Sequence, residues 1–270
     1  MLFKYVAGSS IKNILDIKYF KNNSIPIINY ISEYNNNNKK VNKTYNEYDN
    51  LIHNLNSKYM IALKLSSLNF DNSLINNLIN KSINKNIKII IDAEEDKNIE
   101  IYRNITNELI QKYNKDKANI FKTYQMYRKD SLYEVDYDLK FFNNLNINHS
   151  CKIVRGAYYN QEKNGDHLFK IKKDTDDSYN NAIIKCNEYN NNFHILATHN
   201  KFSLELGLLL SKFKNNLILA NLMGMNEKYM SNINNIQKAK YIPYGPYNEM
   251  IPYLTRRIYE NIDQIKYLNK

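Results

Sequence analysis

Apolar positions in this chain gather into short unbroken runs, each followed by a longer stretch in which apolar residues recur at helical spacing. The runs are SIPIINYI, YMIALKL, NIKIIID, NIFKTYQ, CKIVRGA, FHILATH, NLILANL and AKYIPYG, eight in all. A strand buried on both faces carries a continuous apolar run, and repeated strand-then-helix order makes the strands parallel neighbours in one sheet. Between runs, Leu74, Ile75, Leu78, Ile79 and Ile83 share one helical face, and KFSLELGLLLSKFK, from Lys201 to Lys214, behaves likewise. Eight such units in 270 residues predict an α/β fold, a compact (βα)8 barrel of the TIM type. A doubly wound open sheet is the alternative, but no GxGxxG follows the first run.

The Asn-rich stretch EYNNNNKKVNKTYNEYDN, from Glu33 to Asn50, is the one low-complexity candidate. Helical spacing resumes at Tyr45, Tyr48, Leu51, Ile52 and Leu55, so the stretch reads as a loop entering the first barrel helix. No internal boundary is evident. Residues 1–24 are expected to form a short helical extension and 25–270 the barrel.

Several apolar runs end on, or contain, a polar residue. Asp92 follows IKIII, Gln125 follows IFKTY, Thr198 and His199 follow HILA, Tyr241 closes its run, and Lys64 and Lys152 interrupt otherwise apolar strands. A parallel barrel collects the carboxyl ends of all its strands at one mouth, where ligands bind. Each residue also has a plainer role open to it: Asp92 as a strand terminator or helix cap, Gln125 as a satisfied core amide, His199 as a backbone-bonding histidine. Lys64 is harder to dismiss, because a lysine in IALKLSS must reach solvent or find a partner. In RGAYY, Gly156 and Ala157 suit a turn, or a planar ligand lying against backbone.

Composition changes this picture little. The formal charge of +11 raises nucleic acid or an acidic membrane surface as partners, but lysines are scattered through a chain rich in Asn, Ile, Lys and Tyr, as a solvated surface would be. No nucleic-acid partner is expected. Only Cys151 and Cys186 are present, with neither a CxxC nor a His/Cys cluster, so no disulfide scaffold or metal site is expected. Apolar runs fall far short of the roughly 20 residues that span a bilayer. The start, MLFKYVAGSSIKN, lacks a secretory apolar region and is too Arg-poor for a clear transit peptide.

Near the end, YIPYGPYNEMIPYLTRRIYEN carries adjacent arginines. Arg256 and Glu260 are spaced i, i+4, Arg257 lies three residues from Glu260, and Tyr253 sits one turn earlier. Two readings fit: a last helix with charged surface residues, or a guanidinium clamp for a carboxylate ligand.

The segments IALKLSS, IDAEE, FKTYQMY, KIVRGAYY, ATHN, NLMGM and YIPYGPYNEMIPYLTRRIYEN occur in the order and approximate spacing of the proline dehydrogenases, which this chain resembles from about residue 5 to 262. The resemblance implies a distorted (βα)8 barrel holding FAD, oxidising L-proline to Δ1-pyrroline-5-carboxylate and passing electrons to a quinone. By motif position it implies that Arg256, Arg257 and Lys64 bind the proline carboxylate, that Glu260 holds the arginines and that Tyr241 packs on the pyrrolidine ring. Tyr158 would line the substrate pocket, Asp92 would organise the charges, and Lys152 would stand near the reacting flavin. Gln125, Arg155, the Gly156 and Ala157 backbone, Thr198, His199 and the Ala93 main chain would contact FAD.

Two departures accompany the resemblance. Many bacterial members read RLVKGAY where this chain reads KIVRGAY, so the basic group at Lys152 keeps its sign but not its geometry, and Asn221 stands where glutamine is common. Members that prefer hydroxyproline have a smaller residue in place of Tyr241, so proline is the expected substrate, with hydroxyproline, or a non-catalytic barrel with a basic binding surface, as the alternatives. A separate pyrroline-5-carboxylate dehydrogenase is expected for the next step. The expected location is cytoplasmic, with peripheral membrane contact as an option, or mitochondrial if the source is eukaryotic.

Overall fold

A computed structural model describes residues 5–15, 24–32, 37–189 and 192–260, with the side chains of 256–260 outside the description. The strands are β1 (Ser24–Tyr30), β2 (Met60–Leu63), β3 (Lys88–Ile91), β4 (Ile120–Gln125), β5 (Ser150–Val154), β6 (His194–Ala197), β7 (Leu217–Leu222) and β8 (Gln237–Tyr244). They close in sequence order into one parallel barrel, β8 pairing with β1 through Ile27↔Tyr241 and Asn29↔Pro243. The helices are α1 (Ile11–Leu15), α2 (Asn38–Asn54), α3 (Asn72–Asn84), α4 (Ile99–Tyr113), α5 (Ser131–Asn144), α6 (Tyr159–Glu162), α7 (Lys172–Glu188), α8 (Lys201–Ser211), α9 (Glu227–Asn232) and α10 (Tyr247–Glu260).

Side chains alternate across a strand, so one set points into the barrel and the other toward the helices. Inside, Ile27, Met60, Ala62, Ile90, Phe121, Ile195, Ile218 and Ala239 form an apolar plug. Two or more residues further along the same chain segments stand Asn29, Lys64, Asp92, Thr123, Gln125 and Tyr241, which with Lys152 of β5 line a cavity of about 360 Å³. The alternation that builds the plug therefore also builds the polar layer above it. Outside the barrel, one apolar cluster joins the β1–β4 side to α2, α3 and α4, and a second joins the β4–β7 side to α5, α7 and α8.

Three local readings of the sequence change. The Asn-rich stretch is not a loop as far as Tyr45: α2 starts at Asn38, because the Asn37 side chain caps it by accepting the Lys39 amide at 2.8 Å. Lys64 does not lie within a strand. β2 stops at Leu63, and the Lys64 carbonyl instead accepts the Ser67 amide at 3.1 Å and hydroxyl at 2.6 Å, opening a single 3-10 turn. The leucine-rich α8 buries only Ser203, Leu204 and Gly207, leaving Phe202 65% and Leu209 53% exposed. A Cβ on Gly207 would lie 2.9 Å from Leu196 and 3.2 Å from Leu219, so the glycine lets the helix press on β6 and β7, with Leu206, Leu208 and Leu210 packed at the edge of the core.

Lys122, on the outer face of β4, is 1% exposed and bonds Asp138 at 2.7 Å, Glu134 at 2.9 Å and Asn107 at 2.9 Å. Burial opposes ionisation of Glu134, but Lys122 and Arg103 outweigh it and hold its carboxyl below the usual range. Removing the lysine leaves the buried Asp138 carboxylate without a cation among the described residues, while Glu134 keeps Arg103 at 2.7 Å. Lys122→Met is expected to lower the unfolding free energy by roughly 3 kcal/mol, read from urea midpoints, and an unchanged midpoint would contradict this account of the cluster.

Candidate functional site

The cavity sits at the carboxyl ends of the strands, where the barrel's geometry collects polar termini. Asp92, the residue after β3, is its centre. Its Oδ1 accepts from Lys152 Nζ at 2.5 Å and its Oδ2 from the Tyr241 hydroxyl at 2.5 Å. Lys152 lies inside β5, 6% exposed, with Nζ 4.7 Å from the centre of the Tyr241 ring. Burial, and then the Asp92 charge, push the Tyr241 phenol well above its ordinary value, so it remains a donor to the carboxylate.

At the end of the neighbouring strand β2, Lys64 Nζ bonds the Tyr158 hydroxyl and lies 4.7 Å from that ring's centre. Tyr158 also reaches the Ala93 carbonyl at 3.4 Å. Gln125 is held at both ends of its amide: Oε1 accepts the Ala157 N–H at 3.0 Å, and Nε2 donates to the Glu94 carbonyl at 3.0 Å. It ties the loop after β5 to the loop after β3, and both loops line the cavity.

Arg155 follows β5 directly. Its Nε donates to Asp176 Oδ1 at 2.6 Å, Nη1 to Thr198 Oγ1 at 2.5 Å and Nη2 to Ser203 Oγ at 3.0 Å. A guanidinium has five N–H groups, so two remain unmatched among the described residues. His199 lies beside it, and burial, followed by the Arg155 charge, lowers the ring to about 4. The imidazole is neutral at physiological pH, and its buried Nδ1 has no partner among the described residues.

Gly156 has φ +148°, and a Cβ there would lie 1.4 Å from the Tyr127 ring. Room for a planar ligand is therefore not the reason for this glycine: Tyr127 occupies the space, held by its hydroxyl's 2.7 Å bond to Glu162. The structure thus gathers Lys64, Asp92, Ala93, Gln125, Lys152, Arg155, Gly156, Ala157, Tyr158, Thr198, His199 and Tyr241 around one cavity. Arg256, Arg257 and Glu260 belong to α10, whose Tyr253 lines the same cavity, but their side chains lie outside the described residues. Asn221 has a structural task, bonding the Met225 carbonyl at 2.7 Å to close the turn after β7.

Sequence reasoning missed Glu94, whose buried carboxylate accepts the Ser66 amide at 2.9 Å and fixes the turn that carries Lys64. It also missed Asp176 and Tyr179, in the segment KKDTDDSY. Nor did chain order reveal that Cys151, Cys186 and His194 meet, with one ligand atom from each all within 4.8 Å of one another. His194 Nδ1 accepts the Cys151 amide at 3.2 Å, and the three side chains form a buried thiol–imidazole cluster.

The His199 shift has a stability consequence. Its folded value of about 4 lies below the ordinary 6.5, so between these values the unfolded chain binds more protons and stability falls as pH drops. At pH 5 this amounts to on the order of 2 kcal/mol relative to pH 7. His199→Gln in ligand-free protein is expected to remove that part of the acid sensitivity, measured as urea midpoints at both pH values; equal slopes in the two proteins would contradict it.

The family profile described as proline dehydrogenase matches residues 15–270. Proline dehydrogenase 1, mitochondrial, of Drosophila melanogaster is 29% identical over 210 residues, covering 68% of this chain and 31% of that protein. The Caenorhabditis elegans protein of the same name is 29% identical over 205 residues, covering 68% of this chain and 33% of its own length. This chain therefore spans about a third of the length of these curated relatives. The crystal structure of proline utilization A from Bdellovibrio bacteriovorus inactivated by N-propargylglycine superposes with a TM-score of 0.87 at 18% identity, over 96% of this chain and 32% of that one, a likeness of fold. With a closed parallel barrel, its polar layer at the strand ends and a profile match over nearly the whole chain, the protein belongs to the proline dehydrogenase family.

Proposed function

We propose that this protein oxidises L-proline to Δ1-pyrroline-5-carboxylate, the first step of proline degradation, using bound FAD and passing electrons to a quinone. The observation that carries this reading is the charge cluster in the cavity, with Asp92 bonded to both Lys152 and Tyr241 and the Lys64–Tyr158 pair lining the same space.

The residues present fit a flavin dinucleotide. His199 presents a buried ring nitrogen with no partner among the described residues, and Arg155 retains two N–H donors unmatched among them. Gln125, Arg155, the backbone of Ala93, Gly156 and Ala157, and Thr198 with His199 would hold the cofactor, while Lys152 would lie toward its reacting end. When bound, the flavin supplies the acceptor for the hydride leaving the carbon beside the ring nitrogen.

The protein's part is to bind, orient and set charge. Lys64 offers a cation to the substrate carboxylate, and α10 carries Arg256 and Arg257 three and four positions after the cavity-lining Tyr253, the spacing at which helix residues share a face. Glu260 is the partner we assign to the arginines. The cations Lys64, Lys152 and Arg155 outnumber Asp92 in the cavity lining, a field that disfavours the ammonium form and favours the neutral amine needed for hydride loss. The Tyr241 ring, fixed through Asp92, would pack on the pyrrolidine and leave little room for a ring hydroxyl. Tyr158 would close the other side.

The product then requires a pyrroline-5-carboxylate dehydrogenase for the next step. The names of the animal relatives support a mitochondrial placement, with cytoplasmic placement for a bacterial source. No helix among the described residues is long and apolar enough to cross a membrane.

Anaerobic L-proline is expected to bleach the flavin of FAD-loaded protein, and hydroxyproline to do so far more slowly; a loaded protein that ignores proline would sink the assignment. Arg256→Met is expected to raise the apparent proline constant by roughly two orders of magnitude with flavin content unchanged. Equal loss of flavin would show that the arginine serves the cofactor or the fold.

A further inference from the structure

Arg155 is more tightly constrained than a surface arginine near a ligand site would be. Asp176, on α7, accepts from Nε at 2.6 Å, and one turn later Tyr179 places its ring 4.4 Å from the guanidinium carbon. Thr198 and Ser203 each take one Nη. Both hydroxyls are themselves held: Thr198 Oγ1 also accepts the Asn200 amide at 3.1 Å, and Ser203 donates to Asn180 Oδ1 at 2.6 Å. Asp176 uses its other oxygen to accept from Lys172 Nζ at 2.5 Å. Burial opposes ionisation of Asp176, but Lys172 and Arg155 outweigh it and keep the carboxylate charged.

Lys172, Arg155, His199 and Asn200, from the ends of β5 and β6 and the start of α7, line the same cavity. Two fixed N–H groups, an ammonium and a neutral imidazole form a recognition set for an anion with several oxygens, since a planar guanidinium bonds phosphate oxygens in pairs only when its plane is aimed correctly. Resting on the FAD reading above, in which Arg155 and His199 hold the cofactor, we propose that Asp176, with Tyr179 behind the guanidinium, is the positioning residue that aims Arg155 at the dinucleotide's diphosphate.

Orientation and charge make opposite predictions for Asp176. If it acted only as a nearby negative charge, deleting it would tighten binding of a polyanion; if it aims Arg155, deletion loosens it. Riboflavin, which lacks the diphosphate, reports general damage to the flavin pocket. The experiment compares dissociation constants of FAD and riboflavin for apoprotein by quenching of flavin fluorescence. Asp176→Ala is expected to weaken FAD by about tenfold with riboflavin unchanged. Asp176→Asn, which keeps an acceptor for Nε, is expected to recover most of the loss. Ser203→Ala, a small change that removes one anchor, is expected to shift FAD in the same direction by less and keeps the question open to test if Asp176→Ala does not fold. Parallel loss of FAD and riboflavin, or tighter FAD binding in Asp176→Ala, overturns the assignment. A wild-type protein that binds no flavin overturns the FAD reading itself, whereas FAD binding that no variant alters overturns the role of Asp176 alone.

Discussion

Closing eight parallel strands into a ring forces every second side chain into a shared interior, and the rest of the molecule answers to that constraint. At the amino ends the interior fills with Ile27, Met60, Ile90, Phe121, Ile195 and Ile218, and nothing polar is needed. At the carboxyl ends the same rows continue into Lys64, Asp92, Gln125, Lys152 and Tyr241, which cannot be left without partners in a low-dielectric space. The site is thus the upper continuation of the plug, and its rigidity comes from the ladder beneath it.

Within that layer, charge is arranged so that no cation in the cavity depends on water alone. Asp92 binds Lys152 and Tyr241, Lys64 meets Tyr158, and Arg155 meets Asp176 and two hydroxyls. A carboxylate ligand would join a lattice of hydrogen bonds that is already directed, which lowers the reorganisation required on binding. The outer face of β4 repeats the principle for stability, where Lys122 gathers Glu134 and Asp138 beneath α5. One cluster leaves N–H groups of Arg155 on the cavity wall, and the other is closed.

How much of this was legible before folding differs by residue. Asp92, Gln125 and Thr198 were visible because each ends an apolar run, and a parallel strand's end has a known destination. Lys64 was visible as an anomaly, although its strand stops one residue earlier than the apolar run implied. The reason for Gly156 was not visible, since the ring that needs its missing Cβ belongs to Tyr127, 29 positions earlier in the numbering. Asp176 looked like one acid among several on an exposed helix, and only its partner distinguishes it.

The amino-acid sequence alone determined the periodicities: eight apolar runs with helices between them, and polar residues at the run ends. Those follow from local sterics and from the need to bury apolar rows, so they can be read without knowing which elements meet. Tertiary structure decided the pairings, because hydrogen bonds and ion pairs depend on distances of a few ångströms between residues far apart in the chain. Asp92 finds Tyr241 across 149 positions and Arg155 finds Thr198 across 43. Cys151, Cys186 and His194, separate along the chain, come together in the core for the same reason.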